Sequence, residues 1–176
     1  ALRRIVRAGP RGASARRSYA GTIRTNEVIA MMAESMLAAL AGTLAAAVVD
    51  VRTGLIPDGI SRGTALVALA LAAADGLPLA AFGGAAAVGG MLLTLHLMTN
   101  GRGLGLGDVK LGVAIGTGFG LSLGVVALGV AFVIGGAYAV GLLATGRAQR
   151  GDAIRFGPFL ATGAFAAALA PPEWFS

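Results

Sequence analysis

Long apolar stretches recur along the chain, separated by short polar breaks, and predict helices near 29–49, 63–81, 82–98, 108–121, 122–145 and 156–172. About 20 apolar residues cross the hydrocarbon of a bilayer, so the second, third and sixth segments are adequate but not generous. The fourth is short and glycine-rich, and is expected to start inside the membrane rather than cross it fully. The predicted fold class is therefore all-α: a polytopic membrane helical bundle of about six transmembrane helices. Residues 29–176 form one membrane-embedded domain, and residues 1–28 a basic, disordered N-terminal tail.

The breaks divide by charge. Loop 50–62 holds Arg52 and Arg62, loop 99–110 holds Arg102 and Lys110, and loop 146–155 holds Arg147, Arg150 and Arg155. The alternate breaks, around Asp75–Pro78 and Gly120–Ser122, hold no Lys or Arg. Cationic loops stay in the cytoplasm, so the first set faces inward. The tail opposes this assignment, because six crossings would place its arginines outside. Either it stays inside and the first segment is not a simple crossing, or it is not part of the working protein.

Gly112, Gly116, Gly120 and Gly124 recur every fourth residue, a small-xxx-small stripe of the kind that lets helices approach closely in lipid. A neighbour carrying Asp50 along that stripe would bring Asp50 to Asp108.

Composition agrees with the pattern. The 176 residues are 56% hydrophobic and 12% charged, with a mean hydropathy of +0.81, against about 25% charged in soluble domains. There is no cysteine and one histidine, His96, which leaves no disulfide, thiol nucleophile, Cys-ligated zinc or His-based metal centre to expect. Neither a cofactor nor a metal is predicted. Seven of the fourteen cationic residues lie in the first 24 positions. No aromatic stacking set accompanies them, so the expected partner is membrane lipid rather than nucleic acid.

Against this background two acids stand out. Asp50 follows the apolar run 36–49, and Asp108 precedes the run 111–120. A carboxylate at bilayer depth costs roughly 2.5–3.5 kcal/mol on insertion scales, so acids there mark functional sites. Both fall on the cytoplasmic side of the predicted topology. Asp108 is preceded by Gly103, Gly105 and Gly107, whose backbone is free to take conformations other residues cannot, with no side chains to block a substrate strand. Two carboxyls brought together share a proton: one draws a proton from water while the other polarises a carbonyl. Simpler readings exist: Asp108 as an acid at a helix N-terminus, Asp50 as an interfacial acid. Asp58, after Pro57, is the rival for the first position. Lys110 is a snorkelling cation with substrate contact as the alternative, and His96 a packed histidine with a proton relay as the alternative. Glu34 has no evident partner.

The stretches Asp50-Val51-Arg52-Thr53-Gly54-Leu55-Ile56-Pro57-Asp58, Gly105-Leu106-Gly107-Asp108-Val109-Lys110-Leu111 and Phe156-Gly157-Pro158-Phe159-Leu160 together resemble the type IV prepilin peptidases, aspartic proteases of the GxGD type. The likeness covers roughly residues 36–170. It implies Asp50 and Asp108 as catalytic residues, with Gly105, Gly107, Lys110, Pro57, Gly157 and Pro158 shaping the site or binding substrate. It also implies a multi-pass protein of the bacterial inner membrane that cleaves the basic leader of prepilin or pseudopilin-like precursors at the cytoplasmic face. Larger members also methylate the new N-terminus and many carry a cysteine-rich zinc insertion. This chain looks like the short, peptidase-only form, and methylation is not expected. The alternatives are a presenilin or signal-peptide-peptidase relative, which would place Tyr before the first Asp and carry Pro-Ala-Leu, and a small proton-coupled transporter. Neither the oligomeric state nor the individual substrate follows from the sequence.

Overall fold

The structure, a computed structural model, describes residues 33–101, 103–147, 149 and 154–170. The basic tail lies outside the described residues. Five helices account for the described fold: α1 (Ala33–Thr53), α2 (Asp58–Ala74), α3 (Pro78–Met98), α4 (Leu106–Ala144) and α5 (Gly157–Ala168). No strand occurs among the described residues. Three of the helices, α1, α3 and α4, are long and apolar enough to cross a membrane.

α4 is two rods. Gly120, at φ 67° and ψ −169°, breaks the helical path inside it. A Cβ placed on Gly124 would lie 3.4 Å from Cα of Gly116, whereas eight residues of straight helix advance about 12 Å. The chain therefore folds back on itself at Gly120, which is the division expected between the fourth and fifth segments. The first arm, Leu106 to Phe119, is about 21 Å long at 1.5 Å per residue, shorter than a roughly 30 Å hydrocarbon core.

Several boundaries differ from the expectation. α1 runs past Asp50 to Thr53, so that Asp50 sits within the last helical turn. α2 begins at Asp58 rather than 63, because Pro57 in an extended conformation (φ −65°, ψ 131°) leads directly into it. α2 ends at Ala74 instead of running to 81. Gly76, at φ 75°, turns the chain, and Pro78 opens α3 at a position where no amide partner is needed.

The bundle inverts the arrangement of a soluble protein. Its interior is built largely of small residues, with Ala39, Ala46, Ala68, Ala72, Ala81, Ala114 and Ala131 completely buried. Many of its large side chains face outward, as with Leu66, Leu79, Val133 and Val140, while Leu92, Leu111, Ile115 and Phe119 fill the interior. Lipid is as apolar as leucine, so burying large side chains yields little, and close backbone packing holds the helices instead. Gly84 of α3 and Gly116 of α4 lie backbone against backbone, and Gly112 accommodates Leu92. Gly163 of α5 lies against the Ala127 carbonyl of α4, and Gly42 of α1 against Thr64 of α2.

The glycine stripe thus differs from expectation in two respects. Gly112 and Gly116 face α3, not the helix that carries Asp50, and Gly120 is the turn rather than a stripe position. α1 meets α4 elsewhere: Gly118 lies against Ala39 and the Ser35 backbone, and the Ser35 hydroxyl donates to the Gly118 carbonyl at 3.3 Å.

Candidate active site

The C-terminal turn of α1, the loop before α4 and the segment leading into α5 converge at one end of the bundle. They enclose a cleft of about 640 Å³ whose wall includes both Asp50 and Asp108. Asp50 is 4% exposed and Asp108 8%, so both carboxyls sit at the cleft's floor with little contact with solvent. They are near enough for the charge of one to act on the other. The expectation that the two acids share a face of the bundle is met.

Each carboxyl is held by a backbone amide from a glycine. The Gly105 N–H donates to Asp108 Oδ2 at 3.0 Å, which places Asp108 in the first turn of α4, reaching back to the residue before the helix. The Gly157 N–H donates to Asp50 Oδ2 at 3.2 Å, linking the first turn of α5 to the last turn of α1. Backbone donors are rigid, so each acid is aimed rather than merely accommodated.

The glycines around Asp108 act through space rather than through unusual torsions. Gly105 has φ −76° and ψ 155°, which any residue adopts. A Cβ there would meet Asp108 Oδ2 at 3.3 Å, and one on Gly107 would come within 3.0 Å of Ile56 Cβ. The missing side chain of Gly107 brings Ile56 up to the start of α4, and that of Gly105 leaves room for the Asp108 carboxyl. The expectation of special backbone freedom is corrected at Gly105.

His96 holds the same loop from behind. Its Nδ1 lies 2.7 Å from the Leu104 carbonyl oxygen, and Leu104 is buried against the core. That contact makes the imidazole an anchor for the loop 99–105, whose residues Gly101 and Leu104 line the cleft.

Asp58 stands at the cleft rim in contact with two cations. Lys110 donates to its Oδ1, and Arg62 pairs with its Oδ2 at 3.1 Å. The Lys110 hydrogen bond holds the Asp58 carboxyl below its ordinary range, with the charges of Lys110 and Arg62 acting in the same direction. Lys110 therefore ties the start of α2 to the start of α4. Pro57 lies outside the cleft wall and its carbonyl accepts the Ile60 amide at 3.1 Å and the Ser61 hydroxyl at 3.2 Å. Pro158 lines two smaller grooves beside the α5 start rather than the cleft itself.

Sequence reasoning overlooked Arg155, which it counted only as a loop charge. Arg155 lines the cleft, and its guanidinium donates to the Val51 carbonyl. Its place immediately before Phe156-Gly157-Pro158-Phe159 was the available signal.

An all-helical bundle with three helices apolar enough to cross a membrane is the architecture of a helical membrane protein, and two buried aspartates line one cleft at its end. The sequence profile of the type IV leader peptidase family matches residues 37–140, and the chain belongs to that family. It is a peptidase, which sets it with the leader peptidases rather than with transporters. No curated protein matches it, and no solved structure does. The matched stretch includes Asp50 and Asp108 but ends before Gly157, so the role of the last element rests on its contact with Asp50.

Proposed function

We propose that the protein is an aspartic endopeptidase that removes the basic leader of type IV prepilin or pseudopilin-like precursors. It acts at the cytoplasmic face of the bacterial inner membrane, with Asp50 and Asp108 as catalytic residues. The observation that carries this reading is the meeting of the two acids, from opposite ends of different helices, in one cleft with each fixed by a backbone amide.

The chemistry follows from the pair. With one proton shared between two carboxyls, the ionised one takes a proton from a water molecule as that water attacks the scissile carbonyl. The protonated one donates a hydrogen bond to the carbonyl oxygen as negative charge builds there. Collapse of the tetrahedral adduct delivers a proton to the departing amine and restores the pair. The chain has no cysteine and its one histidine is engaged at Leu104; among the described residues of the cleft wall the remaining carboxyl is Asp58, which is held by Lys110 and Arg62. The exposed apolar surface suits lipid around the bundle, and the cleft at its end suits a peptide arriving from the aqueous side.

The test is cleavage of a prepilin-like substrate in detergent or lipid discs by the intact protein, Asp50→Asn and Asp108→Asn. Each variant is expected to lose about 10²- to 10⁴-fold in kcat, with helix content and elution volume unchanged. A folded variant that cleaves at the wild-type rate refutes the two-aspartate mechanism.

A further inference from the structure

We propose that Arg155 is a positioning residue for Asp50, a role that rests on the aspartic-peptidase reading of the cleft. Two cross-links join the end of α1 to the segment that leads into α5. The Arg155 guanidinium donates to the carbonyl of Val51, the residue after Asp50. The Gly157 amide, two residues beyond Arg155, donates to the Asp50 carboxyl at 3.2 Å. Together they close a small ring, from Asp50 through Val51, Arg155, Phe156 and Gly157 back to Asp50.

A single hydrogen bond leaves a carboxyl free to swing about it. A second tether one residue away fixes the backbone on both sides, and so the direction in which Asp50 projects. The chain is prepared locally for this contact. The last carbonyls of a helix lack intrahelical partners, and a cation among them is favoured by the helix dipole. The Asp50 carbonyl is satisfied by the Gly54 amide at 2.8 Å and that of Val49 by the Thr53 hydroxyl at 2.9 Å. The Val51 carbonyl takes Arg155.

Gly54 turns the chain beside the guanidinium, and it is the backbone torsion rather than lack of space that favours glycine there. It sits at φ 72°, and a Cβ there would lie 3.4 Å from Arg155 Nε and 3.5 Å from Nη2. Lysine at position 155 would retain a cation at the helix end and a donor for a carbonyl, without the planar fork.

The experiment compares intact wild type, Arg155→Ala and Arg155→Lys in lipid discs, by steady-state cleavage of a prepilin-like substrate and by amide hydrogen exchange over residues 154–160. Arg155→Ala is expected to lower kcat about tenfold, the effect of one lost hydrogen bond on transition-state geometry, with KM held within about threefold. Exchange of the Gly157 amide should quicken in parallel. Arg155→Lys should recover most of kcat and slow the exchange again. Unchanged kcat in a folded Arg155→Ala variant overturns the proposal, as does unchanged exchange at Gly157. A rise in KM alone overturns it too, because the guanidinium then contacts substrate. If the alanine variant does not fold, Arg155→Gln, which keeps a donor and loses the charge, takes its place in the comparison. If wild type cleaves no prepilin-like substrate, the leader-peptidase reading fails, while the exchange comparison still decides the positioning role.

Discussion

Replacing Gly157 by alanine tests the amide that holds Asp50. A Cβ at that position would stand 2.7 Å from Asp50 Oδ2, 3.1 Å from its Cβ and 3.2 Å from its Cγ, where carbon atoms in contact prefer about 3.5–4.0 Å. Something must move by several tenths of an ångström. α5 is poorly placed to do so, because Gly163 already lies against the Ala127 carbonyl and Phe156 and Phe159 close on Gly135. Asp50 yields instead, and its hydrogen bond at 3.2 Å lengthens or breaks. A hydrogen bond to a charged group is worth about 1.5–3 kcal/mol, or roughly 10- to 10²-fold in rate at 1.4 kcal/mol per decade. Misplacing a reacting group by about 1 Å costs a similar 10²-fold. Gly157→Ala is therefore expected to lower kcat roughly 10- to 10²-fold with KM little changed, measured on a prepilin-like substrate in lipid discs. Gly136→Ala is the control: a Cβ there meets nothing within 4 Å, and kcat should stay within about twofold. Equal activity in the two variants would refute the claim that the Gly157 amide orients Asp50.

Two further substitutions test the scaffold around the site. Gly120 occupies a region of torsion space, φ 67° and ψ −169°, that is almost confined to glycine, so Gly120→Ala should destabilise the fold by about 1–3 kcal/mol. Reversible unfolding in mixed micelles measures this, and an unchanged stability would argue against the fold-back of α4. His96→Ala frees the Leu104 carbonyl and should slow cleavage about two- to tenfold, the worth of one hydrogen bond. His96→Asn, with an amide in reach of the same carbonyl, should restore most of the rate. Equal loss in both variants would point to proton relay through the imidazole instead.

Much of this protein was legible from its sequence because a bilayer imposes a coarse, strong rule. Apolar runs of near-spanning length identified the helices, since backbone amides in lipid must be satisfied within a segment. The cost of a carboxylate at depth singled out Asp50 and Asp108, and the loop charges put them at one end of the bundle before any contact was known. Boundaries were less legible. Asp50 proved to lie inside α1, because composition does not reveal where the final turn stops. The break near residue 121 was visible, but not that Gly120 folds α4 back as a hairpin.

Tertiary structure alone decided how the acids are held. Glycine spacing on α4 suggested a seam with the Asp50 helix. The seam went to α3, because Gly84 there is the residue that lets two backbones touch at Gly116. The amide of Gly157, the Lys110–Asp58 tie and the Arg155 tether join residues far apart in the chain, and the anchor at His96 joins the end of α3 to the loop that follows it. Composition and periodicity report which residues are costly to place in lipid, whereas the direction in which a carboxyl points depends on neighbours supplied by other helices.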